Sequence, residues 1–308
     1  FFLTTVGRVQ TPTLSIVVER EEKIRKHVAR DYWEVRATFD AQAGQYDGKW
    51  FDPAWKKNPD DAELRNDRLW DAASAQAIAD AVRGQPASVS EESKPTTSSC
   101  PGLYDLTTLQ REANSRFGFS AKTKPLKRVF DNAKVSDHFA IIPTLQPPKS
   151  LSEIEAKLYD LVVKRFLAVF YPPAEFMVTT RISTVDAAGK QHKFQTNGKV
   201  LVKPGWLAVY GKEAQEDDAN LVAVAPGERV RTESVDVVAL KTKPPARYTE
   251  ATLLSAMEGA GKLIDDDELR EAMAEKGLGT PATRATVIEG LIYEKYMHRE
   301  GRELVPTA

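Results

Sequence analysis

The chain has 308 residues, too many for one ordinary core, so two domains are expected. Its 42% hydrophobic and 28% charged residues indicate a soluble globular protein, and a net charge of −1 excludes a histone-like, purely electrostatic nucleic-acid binder. The single cysteine, Cys100, excludes an internal disulfide or a cysteine-based zinc site and fits a reducing cytosol. No apolar run is long enough to span a membrane, and the first residues do not form a signal peptide.

The first predicted helix follows the sequence VGRVQTP at residues 6–12. Pro12 lacks an N–H and suits a first helical turn, with Thr11 as the cap before it. Apolar residues then recur at helical spacing, namely Leu14, Val17, Val18, Ile24 and Val28. Arg8 and Gln10 precede the cap and supply donors for phosphate oxygens or base edges, although these residues alone favour an ordinary capped helix with a solvated arginine.

A block of sheet is predicted next. Residues 32–39 alternate between apolar and polar, which is typical of a half-buried strand, and residues 45–51 return as its hairpin partner. Residues 52–67 are polar and interrupted by proline, which predicts an exposed loop. A helix over residues 71–83 ends at Gly84, a strand covers residues 87–93, and residues 94–101 form a linker.

The middle of the chain is predicted to be helical. Asp105 caps a helix that ends before Gly118, and Ser152 caps a longer one. The helix that Ser120 begins meets Pro125 within its first turns, and a proline inside a helix costs about 3 kcal/mol. A helix start that is followed at once by a helix-breaking proline is a local inconsistency in the sequence.

The last part returns to sheet and then to helices. Residues 175–240 form strand runs broken at Ala188-Gly189, Asn197-Gly198, Pro204-Gly205 and Pro226-Gly227. Residues 241–247 mark a boundary, and helices are predicted over residues 250–258, capped by Thr249, and 265–276. Thr280-Pro281 repeats the cap-and-proline start, and residues 296–299 and 302–305 form a small wing. The fold class is mixed α and β with discontinuous domains.

Few residues suggest chemistry by themselves. Asp265 and Asp267 have a spacing that suits a metal, but at a helix start carboxylates also favour the dipole. The sequence has no Walker-type glycine loop, nucleophile elbow or serine triad.

Ordered motifs carry a stronger signal: GRVQTP (7–12), LQREAN (109–114), SDHFAIIPT (136–144), YTEA (248–251) and GLGTPATR (277–284). Together they resemble the type IA DNA topoisomerases, most closely the bacterial topoisomerase III subgroup, over nearly the whole chain. The resemblance implies an isomerase whose tyrosine cuts one DNA strand and holds it as a 5′-phosphotyrosine. A second strand or duplex then passes and the cut is resealed without ATP. Mg²⁺ is implied in an acidic N-terminal Toprim domain.

The sequence departs from this family in two ways. The Toprim domain expected before Phe1 is absent, so no Mg²⁺ is expected on this chain. The Tyr-x-Arg-Thr-Asp-Ser motif that carries the nucleophile is also absent, and an apparent splice lies at residues 123/124. Either a segment is deleted there or an omitted stretch is closed up in the numbering. We therefore expect no DNA cleavage by this chain.

The resemblance also implies domains and sites. Residues 1–30 and 241–308 form a helical base domain with a DNA groove, residues 31–98 and 174–240 a β-rich arch, and residues 99–173 a partial helical domain. The implied DNA-binding residues are Arg8, Gln10, Thr11, Arg111, Lys122, Ser136, Thr280, Thr283 and Arg284. His138 matches the histidine beside the scissile phosphate. A histidine satisfied in a loop, a plain helix cap and solvated basic residues are the competing explanations.

The functional hypothesis is a parent DNA topoisomerase of which this chain retains weak binding to single-stranded DNA. A monomer in the bacterial cytoplasm, associated with the nucleoid and not with a membrane, is expected. One alternative is a non-catalytic nucleic-acid-binding module built on the Thr280 helix and its wing. Another is a scaffold protein without a nucleic-acid role, which the near-neutral net charge favours.

Overall fold

The computed structural model describes residues 7–120, 140–211, 221–260 and 277–307. Within these ranges the helices are α1 (Gln10–Lys26), α2 (Ala72–Val82), α3 (Leu106–Phe117), α4 (Glu153–Ala168), α5 (Glu250–Glu258) and α6 (Pro281–Tyr293). The strands are β1 (Asp31–Ala41), β2 (Gly44–Phe51), β3 (Pro86–Ser98), β4 (Ala174–Ala187), β5 (Lys190–Lys203), β6 (Arg229–Lys241), β7 (Met297–Glu300) and β8 (Glu303–Pro306).

The chain divides into two compact units. Unit 1 comprises Phe1–His27, Pro101–Phe170 and Pro244–Ala308, and unit 2 comprises Val28–Cys100 and Tyr171–Lys243. Each unit is therefore assembled from segments that lie far apart in sequence, as expected for discontinuous domains.

Unit 2 is a closed antiparallel barrel with the strand order β1-β2-β5-β4-β3-β6. Along β1 the side chains at Val35, Ala37 and Phe39 are buried, because alternate residues of a strand point to the same face. Helix α2 packs on this core with Ala75, Ala79 and Val82 at helical spacing. The strands predicted over residues 32–39 and 45–51 and the helix predicted over residues 71–83 are confirmed.

Two predictions in unit 2 are wrong. The linker expected over residues 94–101 is strand as far as Ser98, because β3 pairs with β4 from Lys94↔Val178 to the end of the strand. Polar residues occupy both faces there, so no alternation is visible in the sequence. The expected break at Asn197-Gly198 is continuous strand, in which both residues pair with β4.

The described residues of unit 1 form two apolar clusters. One joins residues of α1, α5, α6 and the β7–β8 hairpin, including Val17, Leu254, Ile288 and Leu304. The other belongs to α3 and α4 and the chain before them: Tyr104, Leu109, Ala113, Leu158, Leu161 and Val162. The predicted caps of α3, α4, α5 and α6 are confirmed, and so is the wing formed by β7 and β8.

The buried face of α1 differs from the predicted stripe. Thr13, Val17 and Glu21 are buried, whereas Val18 and Val28 are exposed. Glu21 is buried because it accepts two hydrogen bonds from Arg247, at 3.0 and 3.1 Å. These hydrogen bonds lower the pKa of the Glu21 carboxyl against the opposing effect of burial.

Candidate nucleic-acid interface

The start of α1 exposes the side chains of Arg8, Gln10 and Thr11. The helix begins at Gln10 with Val9 as its N-cap, so the predicted cap at Thr11 is wrong. The cause is local, because the Thr11 N–H donates to Gly7 O at 3.2 Å and extends the turn backwards. No acidic residue lies in the first turn of α1, so no side chain of that turn neutralises the positive end of the helix dipole.

The start of α6 likewise has no acidic side chain in its first turn. Thr280 is its N-cap, and Pro281 follows at the first helical position. Thr283 Oγ1 accepts a hydrogen bond from the Thr280 N–H at 2.9 Å, and the two exposed hydroxyl oxygens lie 3.1 Å apart. These residues therefore form a helix cap, and their side chains are exposed to solvent.

The two helix starts lie against each other within unit 1. Gly279 has a φ of +69°, and a Cβ built on it would lie 3.3 Å from Val9 Cγ1. The Gln10 side chain reaches the last turn of α6 instead, where a Cβ built on Gly290 would lie 3.5 Å from its amide nitrogen Nε2. The GRVQTP and GLGTPATR motifs thus meet. We call the exposed residues Arg8, Gln10, Thr11, Thr280 and Thr283 the paired helix starts.

Arg284 occupies a different environment from the paired helix starts. Its side chain is only 4% exposed. Its Nε donates to Leu278 O at 3.2 Å, and its Nη1 donates to Thr107 Oγ1 at 3.3 Å. Burial lowers the pKa of its guanidinium, and the charge of Glu258 opposes this shift. The placement supports a role in joining α6 to the preceding loop and to α3 rather than a direct contact with DNA.

Arg111 lies on α3 and is paired with an acid of α5. Its Nη1 is 2.9 Å from Glu258 Oε2 and donates to Ser255 Oγ at 3.2 Å. Glu258 Oε1 also lies 3.8 Å from Arg284 Nη1. The sequence offered no signal for Glu258, because its partner Arg111 stands 147 residues earlier.

Three predicted site residues, Lys122, Ser136 and His138, lie outside the described residues, as does the splice predicted at residues 123/124. Their roles stay predictions. Within the described ranges, no three His, Cys, Asp or Glu residues are grouped so as to hold a metal ion. The Mg²⁺ that the family resemblance implies is expected on the Toprim domain and not on these residues. Likewise, none of the helices in those ranges is long and apolar enough to cross a membrane.

Comparison with known proteins gives consistent matches. A family model described as DNA topoisomerase matches residues 2–125 and 122–308. DNA topoisomerase 3 from Bacillus licheniformis is 33% identical over 370 positions, covering 98% of this chain and 49% of that protein. DNA topoisomerase 3 from Salmonella typhimurium is 31% identical, covering 98% of this chain and 55% of that protein. The chain thus spans about half the length of these relatives.

The sequence alignment also shows that this chain lacks positions present in its relatives. The alignment with the Bacillus licheniformis protein has 370 positions and the chain has 308 residues, so at least 62 positions face a gap in this chain. The two segments matched by the family model overlap at residues 122–125.

A solved structure supports the fold. Full-length topoisomerase I from Thermotoga maritima superposes with a TM-score of 0.73 at 24% identity, covering 99% of this chain and 54% of that one. At this identity the likeness is evidence for the fold, and the family match rests on the sequence comparisons. The chain belongs to the DNA topoisomerase family, and the relatives described above are named DNA topoisomerase 3.

Proposed function

We propose that the whole protein is a type IA DNA topoisomerase and that the present chain contributes a surface for single-stranded DNA. The observation that carries this proposal is the approach of Val9 to Gly279 just before α6, because the exposed Arg8 and Gln10 flank Val9 where the two helix starts meet. Helix N-termini free of acidic residues attract phosphate, and a guanidinium or an amide also suits base edges.

In the whole enzyme, a tyrosine would attack one strand and hold it as a 5′-phosphotyrosine until the cut is resealed. None of the nine tyrosines of this chain lies in the Tyr-x-Arg-Thr-Asp-Ser motif, so the proposal assigns binding and not cleavage to the chain as given. Mg²⁺ is assigned to the parent enzyme and to residues outside this chain. His138 is proposed to donate to a phosphate oxygen when it is protonated.

Binding is expected to be weak and sensitive to salt. The net charge of −1 provides no long-range attraction, so affinity depends on a few local phosphate contacts. Each such contact releases counterions, and the affinity for a single strand falls with a slope of about 0.7 per contact in log salt. The protein is proposed to act as a monomer in the cytoplasm, close to the nucleoid.

The test is fluorescence anisotropy of the full chain with a labelled single-stranded oligonucleotide at 50 mM and 200 mM salt. Arg8→Ala and Gln10→Ala are expected to weaken binding. Arg25→Ala is the matched control, because Arg25 lies in the last turn of the same helix with its side chain 65% exposed. No binding by the wild type, or an equal loss in the control, would overturn the proposal.

The helix-and-wing alternative remains open to the same assay. The β7–β8 hairpin does follow α6, as that alternative requires. It predicts a preference for duplex over single-stranded competitor DNA, whereas the paired helix starts predict the reverse. The scaffold alternative predicts no binding of either.

A further inference from the structure

An acidic side chain lies beside the candidate interface at the end of α5. The Glu258 carboxylate lies 2.9 Å from Arg111 Nη1 and 3.8 Å from Arg284 Nη1, so it stands between two guanidinium groups. The Leu278 N–H donates to Met257 O at 2.7 Å, which fixes the loop before α6 against the last turn of α5. The carboxylate therefore belongs to the same part of unit 1 as the start of α6.

The exposure of the three charged groups differs. The side chains of Arg111 and Glu258 are 31% and 40% exposed, whereas that of Arg284 is 4% exposed. An anion arriving from solvent can therefore reach Arg111 but not Arg284 in this conformation. Carboxylate and phosphate oxygens accept the same hydrogen bonds from a guanidinium, so the two anions compete for the same donors.

We propose that Glu258 occupies the place of a DNA phosphate at Arg111 and thereby sets the affinity of this chain for single-stranded DNA. In the free protein the carboxylate holds Arg111 and repels the phosphates of an approaching strand. A bound strand releases Arg111 from Glu258 and gains the guanidinium as a phosphate contact. This inference rests on the proposed function, and it adds a residue that limits binding rather than one that supports it.

A purely structural role for Glu258 makes a different prediction. If the ion pair only fastens α3 to α5, its removal lowers stability and leaves DNA affinity unchanged. Other hydrogen bonds also link these helices, among them the one that the Ala251 N–H donates to Asn114 Oδ1 at 3.1 Å. We therefore expect the fold to survive the loss of the charge on Glu258.

The test is the anisotropy assay with Glu258→Gln, in which an amide of the same size replaces the carboxylate. In the wild type the Glu258 carboxylate that is freed on binding takes up a counterion and cancels the gain from the Arg111 contact. Without the carboxylate the net gain is one phosphate contact, which at a slope of about 0.7 strengthens binding about eightfold at 50 mM and about threefold at 200 mM salt. Arg111→Ala in the Glu258→Gln background is expected to abolish this gain, because the released guanidinium provides the contact.

Glu289→Gln is the matched control for the loss of one negative charge. Glu289 is also in unit 1, where its carboxylate is paired with Arg299 and accepts a hydrogen bond from Ser120. We expect Glu289→Gln to leave the affinity within about twofold of the wild type, because the Glu289 carboxylate is paired with Arg299 and its loss releases no contact of Arg111.

The outcomes separate this inference from the proposed function. Wild-type binding without a gain in Glu258→Gln overturns the role of Glu258 and leaves the proposed function standing. An equal gain in Glu289→Gln, or a gain that survives the loss of Arg111, also overturns it. No wild-type binding overturns both. If thermal melting shows Glu258→Gln to be unfolded, Glu258→Asp retracts the carboxylate from Arg111, and an unchanged affinity in that variant contradicts the inference.

Discussion

Gly279 lies just before α6 and allows Val9 to pack closely against the chain there. Gly279→Ala tests whether this packing is needed for DNA binding. Its φ of +69° lies in the left-handed region, where a residue with a Cβ costs about 1–2 kcal/mol relative to glycine. The added Cβ would also lie 3.3 Å from Val9 Cγ1, so Val9 must shift by a few tenths of an ångström. For a domain of this size, the strain lowers the melting temperature by about 2–8 °C.

The displacement of Val9 should also affect binding. Val9 stands between Arg8 and Gln10, so its shift moves both donors relative to the start of α6. Loss of one phosphate contact weakens single-strand binding about eightfold at 50 mM salt, from a slope of about 0.7. The assays are thermal melting and oligonucleotide anisotropy on the same sample.

Gly301→Ala is the matched control for this prediction. Gly301 has a similar φ of +61°, but nothing lies within 4 Å of a Cβ placed on it. It should lose comparable stability while binding DNA like the wild type. If Gly279→Ala binds DNA normally despite the lower melting temperature, or if Gly301→Ala loses affinity equally, the proposed connection between Val9 and binding is refuted.

Two further predictions concern buried charges in unit 1. Arg247→Ala should lower the free energy of unfolding at pH 7, because the Glu21 carboxylate loses its main hydrogen-bond donor. Since the Glu21 pKa is lowered in the folded protein, this contribution is present above its unfolded value of about 4.5 and is lost as the pH falls through the folded pKa. Urea titrations should therefore show the two proteins converging at acidic pH, and a constant difference would contradict the assignment. Arg284→Gln should lower the melting temperature, because Leu278 and Thr107 lose a donor, and should leave the salt slope of DNA binding unchanged. A slope reduced by about 0.7 would instead identify Arg284 as a direct phosphate contact.

Local rules predicted the helix caps correctly. Asp105, Ser152, Thr249 and Thr280 each precede a helix as predicted, because capping depends on residues three positions apart. The start of α1 was predicted wrongly, because the backbone bond from Thr11 to Gly7 extends the helix and leaves no mark in the side-chain pattern.

Partners distant in sequence account for most of the rest. The burial of Glu21 requires Arg247, which lies 226 residues away. The extension of β3 to Ser98 requires β4, which supplies the backbone pairing that the polar sequence of residues 94–98 does not reveal. In the candidate site, helical pattern and motif order identified both helix starts, but neither could show that Glu258 would be paired with Arg111.

The paired helix starts are the central claim, and hydrogen exchange measured by mass spectrometry tests them directly. Backbone amides of residues 7–13 and 277–284 should exchange more slowly when the full chain is saturated with a single-stranded oligonucleotide. The strands of the unit 2 barrel should be unaffected. Protection of both segments together is the predicted result. Protection confined to the β7–β8 wing or to the barrel, with residues 7–13 unchanged, would contradict the claim.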